Sequence, residues 1–294
     1  MRVSMTARRE LWGAIFILPA MVWMVVFSIY PMLNAFYLSL TRYDLLRAPE
    51  FIGLSNYVDL FGDERFWLVF RNTFAYAFGR GIPLVILALA IGIVLGRPFR
   101  FCDFYRTLYF TPVVLSGVVV SIVWALLYSP TGLINQIIAP LTQGAPIYWL
   151  TQGETAPYAI IIMAVWQQIG FYMIVFIAGL QGIPTEFYEA AAIDGATGWQ
   201  RLLQITLPLL KPTTLFVTVI CLINGFQAFT YQFVMTNGGP SDATNVLSLL
   251  IYSTGLQYLK MGLAAAMSLV LFAAILLLTI LQIRISRSDD VSYV

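Results

Sequence analysis

Six apolar runs, each long enough to cross a lipid bilayer, decide what this chain can become. They extend from roughly residue 11 to 33, 72 to 96, 107 to 128, 157 to 180, 213 to 235 and 261 to 283. A hydrocarbon core about 30 Å thick takes about 20 helical residues, and the segments between the runs are rich in Pro, Gly, Asn and charge. Composition agrees: 60% of the 294 residues are hydrophobic and 10% are charged, with a mean hydropathy of +0.83. So few charges cannot cover a soluble surface of this size. The expected class is an all-α polytopic membrane protein with six transmembrane helices, its surface against the lipid bilayer.

What is missing narrows the chemistry. The chain has no histidine, which removes the usual metal ligand, general base and proton relay. Lys211 and Lys260 follow Leu210 and Leu259, so no Gly-Lys-Ser/Thr phosphate loop exists and the chain binds no ATP in that way. Cys102 and Cys221 show no paired spacing. A net charge of +2 with scattered Lys and Arg gives no nucleic-acid footprint. Neither a catalytic group nor a metal site is expected.

Positive charge sorts the loops. Arg2, Arg8, Arg9, Arg97, Arg100, Arg106, Arg201, Lys211, Arg284 and Arg287 fall on one side, and Arg42, Arg47, Arg65, Arg71 and Lys260 on the other. The positive-inside rule then makes both termini cytoplasmic in the plasma membrane. Arg2, Arg8 and Arg9 resemble a secretory n-region, yet the apolar stretch that follows exceeds a signal core, which predicts a retained signal-anchor helix. Residues 34–70, with Phe51-Ile52-Gly53-Leu54-Ser55-Asn56-Tyr57, read as a folded outer cap. Residues 129–156 form a second outer loop, and residues 181–212 a long inner loop of helical pattern.

In that inner loop Pro184 suits a first helical position, Glu186 and Glu189 suit the first turns, and Gly195 can close the helix. Ala190, Ala191 and Ala192 leave one surface nearly free of bulk. A second short helix is expected from about Gly198 to Ile205, ending before Leu207-Pro208. Glu189-Ala190-Ala191, Gly195 and Ile205-Thr206-Leu207-Pro208 fit the pattern EAA-x3-G-x9-I-x-LP at every fixed position. In this the chain resembles the permeases of bacterial binding-protein-dependent ABC importers, maltose-type carbohydrate-uptake subfamily, from about residue 10 to 285. Weaker echoes are the 51–57 segment, Arg106 with Leu108 and Pro112, and Thr236-Asn237-Gly238-Gly239-Pro240.

The resemblance implies a type I ABC importer permease fold over 1–294, with 181–212 as the loop that couples to an ATPase. Glu189, Ala190, Ala191, Asp194, Gly195, Ile205, Leu207 and Pro208 would be its coupling residues, Glu189 pairing with a basic group of the ATPase. The partners implied are a sister permease in a heterodimer, two ATP-binding-cassette ATPases carrying ATP and Mg, an extracytoplasmic solute-binding protein and a carbohydrate. The alternative is a plain helical link between the fourth and fifth spans.

Polar residues within spans face protein or a water-filled cavity. The fourth span offers Trp166, Gln167, Gln168 and Tyr172, the fifth Asn224, Gln227, Thr230, Tyr231 and Gln232. Asn224, Gln227 and Tyr231 recur at i, i+3 and i+7, which predicts one helix face. Amides and aromatic rings suit a neutral polyhydroxylated ligand; the same groups also serve to bond helices together. Resemblance favours the pathway role for Gln167, Asn224, Gln227 and Tyr231. Arg80, the one formal charge within a run, is expected to snorkel to the outer headgroups, with a cavity-lining role as the alternative. Gly79, Gly81 and Pro83 beside it read as a local kink. A cargo such as glycerol phosphate would want cations, and only Arg80 is offered. An ion-coupled transporter fares worse, since the runs hold no Asp, Glu or His.

Overall fold

A computed structural model describes residues 5–287; Arg2, and the side chains of Arg8, Arg9 and Arg287, which enter the charge count above, lie outside the described residues. The chain divides into two compact units, one running to Asp63 and adding Ile251–Val270, the other made of Glu64–Leu250 and the residues from Leu271 onward.

In the first unit α1 (Met5–Met24) passes through a π-helical turn (Val25–Ile29) into α2 (Tyr30–Ser39). A two-stranded antiparallel hairpin follows, β1 (Thr41–Arg42) with β2 (Glu50–Phe51), in register Thr41 to Phe51 and Arg42 to Glu50. Helix α3 (Ser55–Gly62) closes the segment. Within the 51–57 segment Asn56 is buried, and its Nδ2 donates to the carbonyls of Ser39 and Thr41, 2.8 Å each, tying the end of α2 to the hairpin. Gly262 N donates to Tyr43 O at 3.3 Å, and a Cβ on Gly262 would collide with the Thr41 carbonyl oxygen. Only glycine allows that approach. Of residues 34–70, the two ends belong to α2 and to the next helix, and the hairpin and α3 occupy the middle.

In the second unit α4 (Glu64–Leu95) is continuous through Pro83 and about 48 Å long at 1.5 Å per residue. Arg106 Nε and Nη2 donate to the Leu95 carbonyl at 3.0 and 2.6 Å, placing a cation on the negative end of that helix. The run predicted as one helix over 107–128 is two, α5 (Cys102–Val114) and α6 (Gly117–Leu127), bent by 98°. Leu115 and Ser116 between them are extended, with ψ of 143° and 132°, and Gln167 Nε2 donates to the freed Leu115 carbonyl at 3.1 Å. A neighbouring helix thus satisfies the backbone at the break, the condition under which irregular backbone is tolerated in a membrane.

After α7 (Leu133–Ile138) comes α8 (Ala156–Gln181), then α9 (Thr185–Ile193), α10 (Gly198–Arg201), a π-helical turn (Leu202–Thr206) and α11 (Leu207–Leu209). The second loop helix thus does not end before Leu207-Pro208. Pro208 sits within this continued helical run, and the chain bends by 64° into α12 (Lys211–Phe226). The fifth run, predicted as one helix over 213–235, stops at Phe226 and restarts as α13 (Thr230–Thr236). Helix α14 (Leu247–Tyr252), a π-helical turn (Ser253–Gln257) and α15 (Met261–Arg287) complete the order.

Four helical stretches are long and apolar enough to cross a membrane, Ile15–Ser39, Glu64–Leu95, Ala156–Gln181 and Met261–Ser286, and the two bent pairs raise this to as many as six. Leu84 and Ala88 of α4, Met173 and Phe176 of α8, and Val217 and Cys221 of α12 form one buried cluster. Without a hydrophobic driving force between helices in lipid, close approach at small residues carries the association. At Gly170 of α8 a Cβ would overlap the Tyr109 carbonyl of α5, and at Gly225 it would lie 3.0 Å from Ala77 Cα of α4.

Candidate functional site

The two broken helices and two unbroken ones enclose a cavity of about 590 Å³. Tyr76 and Arg80 come from α4, residues 115–118 from the α5–α6 break, Gln167, Gln168, Phe171 and Tyr172 from α8, and Asn224 with 227–231 from the α12–α13 break. Gln167, Tyr172, Asn224, Gln227, Thr230, Tyr231 and Arg80 therefore meet at one place. The reason differs from the predicted one for the fifth run. Asn224 lies in the last turns of α12, Gln227 at its C-terminal cap and Tyr231 in α13, so they do not share a helix face; the break folds them back around the same space.

Trp166 is not part of this cavity. One residue along α8 rotates a side chain by about 100°, and Trp166 stands 42% exposed with its ring 5.3 Å from that of Trp124, on a separate apolar pocket with Pro83 and Leu108.

Arg80 does not snorkel. It is 1% exposed and donates from Nη1 to the Cys221 carbonyl at 3.3 Å and from Nη2 to Gln168 Oε1, while its Nε has no hydrogen-bond partner. Gln168 Nε2 in turn donates to Tyr231 Oη at 2.8 Å, and Asn224 Nδ2 to Tyr172 Oη at 3.2 Å. Sequence reasoning placed Gln168 in its span without singling it out, yet it joins α4 to α13. Tyr76 went unnoticed; its i, i+4 spacing to Arg80 was the available signal. Gln167 bonds the helix break through Nε2 and leaves its buried Oε1 unpartnered on the cavity.

The 181–212 loop is built by local rules. Pro184 is the residue before α9 rather than its first helical residue. Gly195 adopts φ +75°, Gly195 N donates to Ala192 O at 3.2 Å, and Ala196 N donates to Ala191 O at 2.9 Å. These two bonds are the Schellman ending, which needs a left-handed residue where glycine is cheapest. A Cβ on Gly195 would meet nothing within 4 Å, so backbone conformation demands glycine here. Thr197 and Gln200 form a capping box on α10, and Tyr188 Oη lies 3.1 Å from Thr206 Oγ1, pinning α9 to the π-helical turn. Glu189, Ala190, Asp194 and Gly195 are exposed, while Ala191, Ile205, Leu207 and Pro208 are half-buried. Ile193 is 88% exposed, and Trp199 is exposed as well.

The family model described as binding-protein-dependent transport system inner membrane component matches residues 76–288, a stretch holding both the cavity and the 181–212 loop. This chain belongs to that family. The permease is 35% identical to the probable ABC transporter permease protein YesP of Bacillus subtilis over 97% of its own length and 94% of that protein. It is 34% identical to the arabinooligosaccharides transport system permease protein AraP of Bacillus subtilis, over 93% and 88%. Among solved structures, a chain of a bacterial alginate ABC transporter, crystallised with an alginate pentasaccharide-bound periplasmic protein, superposes with a TM-score of 0.87 at 24% identity over the full length of both. The permease is a multi-pass membrane protein with the type I ABC importer permease fold.

Proposed function

We propose that this permease forms half of a transmembrane pathway that imports a carbohydrate delivered by an extracytoplasmic binding protein. The observation that carries the reading is the cavity itself: neutral amides at Gln167, Gln168, Asn224 and Gln227 beside the rings of Tyr172, Phe229 and Tyr231. Amides donate to and accept from hydroxyl groups, and rings pack on the apolar faces of sugars. AraP, named for arabinooligosaccharides, supports the same class.

In this reading the chain spans the membrane six times, each bent pair counting as one span, with both termini cytoplasmic and the 34–70 segment as an outer cap. A sister permease completes the pathway in a heterodimer. The 181–212 loop then faces the cytoplasm and docks on one of two ATPase subunits, which carry ATP and Mg. Exposed Glu189 meets a basic group there, Ala190, Ala191 and Asp194 lie along the docking helix, and Ile205, Leu207 and Pro208 pass the motion into α12. ATPase closure rocks the two permease halves between inward- and outward-facing states.

Affinity purification of the tagged chain in mild detergent tests the reading. An ATPase and a second permease are expected to copurify, and Glu189→Arg is expected to lose the ATPase while keeping the permease pair. Recovery of the chain alone, under conditions that preserve other membrane complexes, overturns the assembly.

A further inference from the structure

Arg80 brings a full positive charge into the cavity without a carboxylate to answer it. Its neighbours are the Gln168 amide oxygen, the Cys221 carbonyl and the Tyr172 hydroxyl, all neutral, and its Nε donates to nothing. No Asp or Glu lines the cavity among the described residues. A buried, unpaired ion in a low-dielectric setting is costly, and within a membrane such a group marks the path of whatever pairs with it. A neutral sugar would leave that charge where it is. An anion would relieve it.

We propose that the cavity selects an acidic carbohydrate, a uronic-acid oligosaccharide, whose carboxylate is read by Arg80; this rests on the carbohydrate-import reading. The exchange is local. Gln168 Oε1 occupies one edge of the guanidinium, and an incoming carboxylate takes its place, replacing a neutral hydrogen bond by charge-assisted ones in the two-pronged geometry that guanidinium and carboxylate share. Tyr231, whose oxygen accepts from Gln168 Nε2, keeps its O–H proton to donate to a sugar oxygen. One guanidinium balances one monoanionic carboxylate. A phosphate monoester carries about −1.5 to −2 charges near neutral pH, and the cavity offers no second cation.

The purified importer, containing this chain with its sister permease and ATPases but no binding protein, is titrated calorimetrically with four probes. These are trigalacturonate, the same trisaccharide fully methyl-esterified, maltotriose and glycerol 3-phosphate. The acid is expected to bind about ten-fold more tightly than its ester. Arg80→Gln should bring that ratio to about one, and Arg80→Lys should retain a preference for the acid. If Arg80→Gln does not assemble, the acid-to-ester ratio of the unsubstituted importer decides alone. Equal or weaker binding of the acid overturns the inference, as does a preference that survives Arg80→Gln, or tightest binding by glycerol 3-phosphate. Maltotriose binding more tightly than the acid removes the charge selectivity and leaves carbohydrate import standing; no binding by any saccharide removes both.

Discussion

The 181–212 loop and the cavity lie in the same unit and are held together by opposite means. In the loop, the ties join residues close in sequence: the Schellman ending at Gly195, the capping box at Thr197, and the Tyr188–Thr206 contact across eighteen positions. In the cavity, the contacts cross large separations, Arg80 to Gln168 and to Cys221, Gln168 to Tyr231, Gln167 to Leu115. Local ties leave their signature in spacing, whereas long-range ties exist only once the helices are packed. The loop should therefore tolerate damage to the bundle, and the cavity should not.

The largest effect that would break this contrast is at Gly170. A Cβ there overlaps the Tyr109 carbonyl, so Gly170→Ala must push α5 from α8 and open the cavity, at a cost of about 3 kcal/mol, the upper range for overpacking. Thermal unfolding of the detergent-solubilised complex should fall by several degrees and saccharide binding should be lost. An unchanged unfolding temperature would show that α5 and α8 are not closely packed at that point.

The same contrast explains what could be read from sequence. In the loop the helix ending at Gly195 was legible, because a left-handed closure leaves its signature in a glycine, whereas the place of Pro184 and the π-helical turn before Leu207-Pro208 were not. The helix breaks at Leu115–Ser116 and Gln227–Phe229 were not, since hydropathy continues across them and the freed carbonyl at Leu115 is answered by a residue fifty-two positions away. Asn224, Gln227 and Tyr231 were chosen on helical spacing that the α12–α13 break abolishes, and they reached the cavity by the break instead. Arg80 was misjudged for a related reason: its position in the run says nothing of Gln168 across the helix interface. Trp166 was drawn in by its neighbours, although its ring packs on Trp124 and lines a separate apolar pocket.

Gln168→Leu gives the next effect in size. It removes one of two hydrogen bonds donated by a buried charge, and an unsatisfied charged donor costs about 2 kcal/mol. The expected result is a destabilised complex that still recruits its ATPase, since no loop contact changes. Loss of ATPase copurification in this variant would mean that cavity and loop are coupled in the resting state.

Gly195→Ala addresses the loop alone. A left-handed residue bearing a Cβ costs about 1 kcal/mol, and open space around that Cβ rules out a steric clash as the cause. ATP hydrolysis stimulated by substrate should drop several-fold while saccharide binding and unfolding temperature stay nearly constant. A fall in binding equal to that of Gly170→Ala would erase the distinction between the two regions.

The smallest effect comes from a long-range tie that is also exposed, and so separates range from burial. Arg65 holds Asp242 through a two-pronged contact at 2.8 and 2.9 Å, their side chains 44% and 25% exposed. Asn72 Nδ2 adds a bond to the Asp242 carbonyl at 2.8 Å, fixing the loop after α13 to α4. The Arg65 hydrogen bonds, aided by Asn245, hold the Asp242 carboxyl below its ordinary value of 3.8. A carboxylate with a lowered folded value stabilises fully above the ordinary value and loses that contribution as pH falls through the lower one. Asp242→Asn should therefore cost about 0.5 kcal/mol after solvent screening, unchanged from about pH 8 down to pH 5, and the gap to the unsubstituted chain should close only below the ordinary carboxylate range. Added salt should shrink it at neutral pH. If the gap instead matches the Gln168→Leu effect and ignores salt, sequence separation rather than burial sets the strength of these ties, and the exposed loop after α13 belongs with the cavity rather than with the 181–212 loop.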